Sequence, residues 1–132
     1  EVTAVDPAPL HPSLIRHPKV RHIPKKAGEV EFSPETFDLL VCDMNWNPYH
    51  TAKLLLPLTD ALAEGGTVLM TLKLMVKKPL KAIREIVELL ETRLVLKKVK
   101  QLFHNREEVT LWMEKMYNKR KKLKEKRCEK EV

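Results

Sequence analysis

Residues 37–43, Phe-Asp-Leu-Leu-Val-Cys-Asp, are apolar at every position between the two aspartates. Such a run is typical of a parallel strand buried on both faces, because a surface strand alternates apolar and polar residues. Residues 48–64 follow with helical periodicity, and Gly65-Gly66 are expected to end that helix. Pro57 is expected to kink it or to be tolerated near its first turns. The face predicted to be apolar carries Leu54, Leu55, Leu58 and Leu62.

Alternating strands and helices extend from this unit in both directions. The other predicted elements are a strand at 1–5, a helical turn within 11–17, and strands at 20–23 and 67–75, then a helix at 79–92 and strands at 94–102 and 109–113. Alternation of this kind predicts an α/β fold with a mostly parallel sheet. The last two strands have no helix between them, so the last should run antiparallel. The predicted inward face of helix 79–92 carries Leu80, Ile83, Ile86, Val87 and Leu90.

Length and composition predict one folded domain. The chain has 132 residues, of which 43% are hydrophobic, and no apolar run approaches the roughly 20 residues of a membrane span. No signal peptide is expected, since residue 1 reads as the middle of a strand. Two cysteines argue against a disulfide framework and for a reducing, cytoplasmic setting, with Cys42 in the core.

Positive charge is concentrated at the end of the chain. Residues 114–132 hold nine Lys or Arg and four Glu, so they carry +5 of the net +7. We therefore predict a domain at 1–116 and a basic tail at 117–132. The tail suits a polyanionic partner, although a solvated helix end or a disordered tail is the alternative.

Four ionisable residues are candidates for chemistry. Asp6 and Asp43 each end a predicted strand, where ligands of α/β sheets bind, although such acids are also common as turn formers or helix caps. Lys73 lies in an apolar strand; it either reaches solvent at the strand end or is buried with a lowered pKa, as a neutral amine able to accept a proton. Glu108 starts the antiparallel strand, so Asp43, Lys73 and Glu108 are expected to converge at one sheet edge.

Several motifs together resemble the FtsJ/RlmM-type ribosomal RNA ribose 2′-O-methyltransferases. They are Leu-Leu-Val-Cys-Asp-Met at 39–44, Gly-Gly at 65–66, Thr-Leu-Lys-Leu at 71–74, and Lys-Gln-Leu-Phe-His-Asn-Arg-Glu-Glu-Val-Thr at 100–110. Val5-Asp6, Pro12-Ser13-Leu14 and Val20 also look like the family's second strand and following helix. The resemblance covers about residues 1 to 113. It implies a Rossmann-like sheet, S-adenosylmethionine as cofactor, and RNA, ribosomal RNA in particular, as substrate.

The family's Lys-Asp-Lys-Glu tetrad assigns roles by resemblance. Asp43 matches its Asp, Lys73 its second Lys and expected general base, and Glu108 its Glu in preference to Glu107. Asp6 matches the acid that holds the cofactor's ribose, and Asp43 is also expected beside the cofactor. The family's first Lys, first strand and Gly-rich loop are expected upstream of residue 1, and Lys25 and Lys26 stand where an acid near the adenine is expected. The alternative function is a non-catalytic RNA-binding or assembly module.

RNA contacts are expected around the mouth of this site. Lys77, Lys78 and Lys81 follow the lysine strand and suit phosphates. Trp46 and Tyr49 suit base stacking, or else form a hydrophobic staple for the next helix. No metal site is predicted, because His50 and His104 lack ligand spacing.

The resemblance also leaves a central strand position open, between residues 1–5 and 37–43. The chain is expected to compensate in one of three ways: residues 1–23 pair directly with 37–43, residues upstream of residue 1 fill the gap, or a neighbouring copy supplies the strand. Exchange or pairing with a neighbouring copy is the favoured expectation, because an open edge is a template for association.

Overall fold

The computed structural model describes residues 1–102 and 107–117. They form two compact units, one from Glu1 to Phe32 and the other from Ser33 onward, and each unit is described by itself. The tail at 118–132, with Cys128, and the loop residue His104 lie outside the described residues. The proposed boundary between 116 and 117 therefore stays a prediction.

The first unit is a small βαβ arrangement. Strand β1 (Val2–Val5) pairs in parallel with β2 (Val20–Ile23), and the short helix α1 (Pro12–Ile15) lies in the connection. Pro12 starts this helix, where its missing N–H costs nothing, and His11 caps it by accepting from the Ser13 amide. These elements confirm the predicted strands and helical turn. Within this unit the pairing partner of β1 is β2.

The second unit contains a four-stranded sheet and two longer helices. Its elements are β3 (Phe37–Cys42), α2 (Pro48–Leu58), β4 (Leu62–Lys73), α3 (Pro79–Leu90), β5 (Leu94–Lys100) and β6 (Glu108–Lys115). The spatial order is β3-β4-β6-β5, with β3 and β4 parallel and β6 antiparallel to both of its neighbours. The predicted antiparallel last strand is confirmed, and it lies between β4 and β5.

The core of this unit lies between one face of the sheet and the two helices. Alternate β4 residues, Val68, Met70 and Leu72, are fully buried there with Ile86 and Leu90 of α3. Full burial of such side chains stabilises the fold by roughly 1.5–3 kcal/mol each. Cys42 also joins this core, as predicted. Leu80 was wrongly placed on the inward face of α3, because it lies in the first turn and is exposed.

The prediction that residues 37–43 are buried on both faces is wrong for this unit. Leu40 and Cys42 pack toward the core, whereas Leu39 and Val41 are 51% and 65% exposed on the opposite face. The reason is that α2 and α3 pack only on the face of the sheet that carries Leu40 and Cys42. An apolar strand face is therefore left open.

Gly65 and Gly66 do not end a helix, contrary to expectation. Helix α2 ends at Leu58, with Pro57 in its last turn, and β4 begins at Leu62 after a 3-10 turn. Gly65 has φ +73°, and a Cβ there would lie 2.5 Å from the Tyr117 hydroxyl. The glycines therefore permit an irregular stretch of β4, where the pairing with β3 shifts register. Leu58 and Leu62 keep helical spacing across the 3-10 turn, so the sequence contained no sign that α2 ends at Leu58.

Candidate active site

Three strand ends bring Asp43, Lys73 and Glu108 together. Lys73 is the last residue of β4, and Glu108 is the first residue of β6 and its direct cross-strand partner. Asp43 follows the last residue of β3, which runs parallel to β4. The start of an antiparallel strand and the ends of two parallel strands meet at one sheet edge. The predicted convergence of these residues is therefore confirmed.

A single ammonium group bridges the two carboxylates. Lys73 Nζ donates to Glu108 Oε1 at 2.5 Å and to Asp43 Oδ1 at 3.1 Å. The side chains of Lys73 and Glu108 are 19% and 27% exposed, whereas that of Asp43 is 64% exposed. The Glu108 contact is consequently the shorter and less hydrated of the two. Asp43 is the member that presents its carboxylate to solvent.

The protonation state of Lys73 differs from the sequence-based expectation. The hydrogen bond to Glu108, followed by that to Asp43, raises the pKa of Lys73 above its ordinary value, and burial opposes this only in part. The prediction of a lowered pKa was wrong for this form, because two carboxylates accompany the lysine at the strand end. Lys73 is therefore held as an ammonium ion in this structure.

Glu107 has a different role from Glu108. Its backbone carbonyl accepts a hydrogen bond of 2.6 Å from the Leu74 amide, which extends the pairing of β4 with β6 beyond Lys73. This contact fixes the register that places Glu108 opposite Lys73. The preference for Glu108 over Glu107 as the partner of the lysine is consistent with this geometry.

Two threonines next to the cluster were missed in the sequence analysis. Thr71 and Thr110 are cross-strand partners, and their hydroxyls lie 3.4 Å apart. Two-residue alternation places them on the same sheet face as Lys73 and Glu108. The signal was present in the sequence, since each threonine lies two residues from a cluster member. Thr71 and Thr110 therefore form a polar patch next to Lys73 on this face of the sheet.

Asp6 and Cys42 lie in environments that are explained by their roles in the fold. Asp6 Oδ1 accepts a hydrogen bond of 2.8 Å from the Ala8 amide, which is the turn-forming alternative for an acid at a strand end. Asp6 belongs to the first unit, and its predicted ribose contact stays a prediction. Burial raises the pKa of the Cys42 thiol to about 11, so this cysteine is a core residue and not a nucleophile.

The three lysines proposed for RNA are exposed. Lys77 and Lys78 lie between the end of β4 and the start of α3, and no ion pair is recorded for either within residues 1–102 and 107–117. Lys81 lies 3.6 Å from Glu85 on the next turn of α3. An exposed pair of this kind is weak, about 0.3–0.5 kcal/mol, and leaves Lys81 available to a phosphate.

Trp46 and Tyr49 have different environments. The Tyr49 side chain packs against the core, and its hydroxyl donates to Glu85 Oε2 at 2.7 Å, which connects α2 to α3 and raises the pKa of the tyrosine. Tyr49 therefore fits the packing alternative. Trp46 is 54% exposed and lies against the ring of His50, with centroids 5.1 Å apart. Trp46 alone of the two aromatic side chains is available for stacking.

The described residues contain neither a metal-binding cluster nor a membrane-spanning helix. Within them, no group of His, Cys, Asp or Glu side chains is arranged to hold a metal ion. None of their helices has the length and apolarity required to cross a bilayer.

Sequence comparisons identify relatives of one kind, although no family model matches the chain. The chain is 37% identical over 121 residues to the ribosomal RNA large subunit methyltransferase M of Laribacter hongkongensis, covering 86% of this chain. It is 34% identical to the protein of that name from Halorhodospira halophila, covering 87% of this chain. The chain spans about a third of the length of these relatives (33% in both). The resemblance inferred from the motifs is confirmed.

Structural comparisons confirm the fold class. The Methanococcus jannaschii fibrillarin pre-rRNA processing protein superposes with a TM-score of 0.73 at 18% identity, covering 88% of this chain and 56% of that one. A putative S-adenosylmethionine-dependent methyltransferase from Listeria monocytogenes gives a TM-score of 0.69 at 7% identity, covering 89% and 81%. The chain has the Rossmann-like α/β fold of these methyltransferases.

Proposed function

We propose that this chain, a relative of the ribosomal RNA large subunit methyltransferase M proteins over about a third of their length, is the catalytic part of an RNA ribose 2′-O-methyltransferase. One observation carries the proposal. A lysine at the end of β4 is shared by two carboxylates at the sheet edge where α/β folds bind ligands. The sequence relationship and the fold point to the same activity.

The exposed side chain of Asp43 fits the cationic side of S-adenosylmethionine. Within the described residues, the recorded partner of its carboxylate is Lys73, which uses Oδ1 and leaves the group largely open to solvent. A carboxylate in this state attracts a cation. The cofactor supplies the methyl group and a positively charged sulfonium. Asp6 is the proposed contact to the cofactor's ribose, with one carboxylate oxygen already used in its own turn.

Lys73 is the proposed general base, and its two partners set when it can act. A ribose hydroxyl is a poor nucleophile at neutral pH, so a positioned base assists it. A cation beside Asp43 competes with Lys73 for the carboxylate, and this lowers the pKa of the lysine. Glu108 keeps the amine in place through the shorter hydrogen bond. Once its own proton has passed to solvent, the neutral amine would take the proton of the ribose hydroxyl as that oxygen bonds to the methyl carbon, while the carbon–sulfur bond of the sulfonium breaks and neutral S-adenosylhomocysteine leaves.

The substrate proposed for this site is structured RNA, ribosomal RNA in particular. Lys77, Lys78 and Lys81 are exposed beside the cluster and suit the phosphate backbone, which dominates RNA affinity. Trp46 is the aromatic side chain available for a base. The cytoplasm is the proposed location, on the basis of the cysteine usage.

Association between copies is proposed through the edge of β3. This strand hydrogen-bonds to β4 on one side, and its outer face exposes Leu39 and Val41. An apolar edge strand invites pairing with another strand. A neighbouring copy is the partner that we propose for it.

Substitution of Lys73 tests the catalytic proposal. In a catalytically competent form of the enzyme, Lys73→Ala should abolish methyl transfer to RNA while leaving RNA binding nearly unchanged. Lys98→Ala is the matched control, because Lys98 is an exposed lysine on β5, outside the cluster. Turnover of Lys73→Ala within about tenfold of the unsubstituted enzyme, or roughly 1.4 kcal/mol of barrier, would assign the base to another group.

Cofactor binding separates this enzyme from a non-catalytic RNA-binding module. Titration of the unsubstituted protein with S-adenosylmethionine in a calorimeter should give a heat of binding. The heat should be smaller for Asp43→Asn, because a neutral amide attracts the cofactor's positive charge less than a carboxylate does. RNA binding together with no methyl transfer by any competent form would favour the binding module.

A further inference from the structure

A second group of side chains lies on the solvent face of α2. Trp46, His50, Lys53 and Leu54 line a shallow surface cavity of about 360 Å³. His50, Lys53 and Leu54 lie on one side of α2, and Trp46, which precedes the helix, lies against the His50 ring, so the four side chains form one stripe at the start of α2. The opposite face of α2 is buried and carries Pro48, Thr51, Ala52 and Leu55. The cavity is therefore separate from the packing face of the helix.

Trp46 occupies the position of a hydrophobic staple without forming one. It directly precedes the capping residue Asn47, and a staple would pair it with an apolar residue at the fourth helical position. That position is Thr51, whose hydroxyl instead donates to the Asn47 carbonyl. Tyr49 supplies the packing between α2 and α3. A large aromatic ring is thus left exposed at a site where local folding does not use it.

The stripe also carries positive charge suited to a phosphate. Lys53 is exposed, and no ion pair is recorded for it within the described residues. It lies one helical turn after His50, whose ring supports the Trp46 ring at a tilt of 48°. An aromatic platform next to an uncompensated lysine is the combination used for single-stranded nucleic acids, in which bases stack and phosphates bind cations.

The stripe is tied closely to the Lys73 cluster. Two residues separate Trp46 from Asp43, and the three peptide units between them limit the distance between their Cα atoms to about 11 Å. The Trp46 amide donates to the Met44 carbonyl at 3.0 Å, so the connection is a tight turn. Asn47 Oδ1 accepts from the amides of Tyr49 and His50 and fixes the start of α2. The platform is therefore held at a fixed place beside the proposed catalytic group.

We propose that Trp46, His50 and Lys53 form a subsite for an unpaired RNA nucleotide next to the one that is methylated. Its base stacks on Trp46, and its phosphate pairs with Lys53. This inference rests on the proposed function, because the target nucleotide must lie at Lys73. The subsite requires that the RNA be single-stranded beside the methylated position.

Paired substitutions at Trp46 test the subsite. The probe is a fluorescently labelled, unstructured single-stranded oligoribonucleotide, and its affinity is measured by anisotropy. Trp46→Leu removes the aromatic face and should weaken binding about tenfold, whereas Trp46→Phe should retain most of the affinity. Trp46→Phe is therefore the matched control, since it keeps an aromatic face at the same position.

An abasic oligomer of the same length distinguishes stacking from charge. Trp46→Leu should leave its binding unchanged, while Lys53→Ala should weaken the binding of both oligomers and reduce the salt dependence. Equal loss for Trp46→Leu on both oligomers, or no loss on either, would overturn the subsite. Methyl transfer to structured RNA that persists in Trp46→Leu with unchanged affinity would overturn the subsite alone and leave the proposed function in place.

Discussion

Replacement of Glu108 by Gln is expected to destabilise the fold more than replacement of Asp43 by Asn. Both carboxylates accept from Lys73 Nζ, and both substitutions keep the size and shape of the side chain. The difference lies in hydration: the Glu108 contact is 2.5 Å long between side chains that are mostly shielded, whereas Asp43 is largely exposed. Solvent screening therefore weakens the second contact.

The two contacts differ in expected magnitude. A hydrogen bond to a charged group contributes about 1.5–3 kcal/mol when it is shielded, and Gln retains a neutral acceptor, so we expect a loss of about 1.5 kcal/mol for Glu108→Gln. An exposed ion pair contributes about 0–1 kcal/mol, which sets the expectation for Asp43→Asn. Glu114→Gln is the matched control, because Glu114 lies on the same strand in a more exposed pair with Lys97.

The pH dependence gives a further check on the cause. The pKa of Lys73 is raised in the folded state, so its contribution to stability is fully present below the ordinary lysine value of 10.5 and is lost as the pH rises through the folded-state pKa. The free energy of unfolding, measured with urea at neutral and strongly alkaline pH, should show the Glu108→Gln deficit at neutral pH and a smaller deficit at alkaline pH. A deficit equal to that of Asp43→Asn, or one constant across this range, would refute the reasoning.

Two further predictions concern charge and association. Deletion of residues 118–132, which lie outside the described part of the chain, should weaken RNA binding and flatten its salt dependence without unfolding the domain, because phosphate contacts are lost; an unchanged slope in a salt titration would exclude the tail from the RNA surface. Val41→Lys should shift light-scattering mass toward the monomer, because a charge on the β3 edge opposes strand pairing. Val99→Lys, on the opposite edge strand β5, is the control, and a strict monomer for the unsubstituted chain would refute association through β3.

The sequence predicted the order and direction of the strands well, because these depend on local patterns. Apolar runs and helical spacing marked each element, and the missing helix before the last strand indicated its antiparallel direction. The convergence of Asp43, Lys73 and Glu108 followed from strand direction together with the family resemblance. The chemical assignment of the three residues came from the family resemblance and not from the pattern.

The errors arose where tertiary context decided the outcome. A run such as 37–43 indicates a buried strand, but its actual exposure depends on which elements cover each face. The pKa of Lys73 depends on whether burial or its hydrogen bonds to Asp43 and Glu108 dominate, and the predicted convergence of the three residues did not decide between these opposing effects. The glycine pair at 65–66 is compatible with a helix stop and with an irregular strand, and only the pairing with β3 distinguishes them. The sequence likewise did not show which aromatic residue packs inward, because this depends on the hydrogen bond of Tyr49 to Glu85, which leaves Trp46 exposed.

The exposed apolar face and the lysine cluster belong to the same side of the sheet. Val41, Leu69 and Trp112 are neighbours across three strands on this face. Because every second residue of a strand lies on the same face, Lys73 of β4 and Glu108 of β6 also lie on it. Lys73 lies four residues along β4 from Leu69, so a protein surface that covers Val41 and Trp112 and also extends to the end of β4 would remove water from near Lys73. Desolvation lowers the pKa of a lysine, so we expect covering this face to move Lys73 toward the neutral amine that a general base requires. The pKa of Lys73 is raised while this face is open, so a partner that packs over the face, unlike a strand that pairs with the edge of β3, is expected to change how readily Lys73 acts as a base.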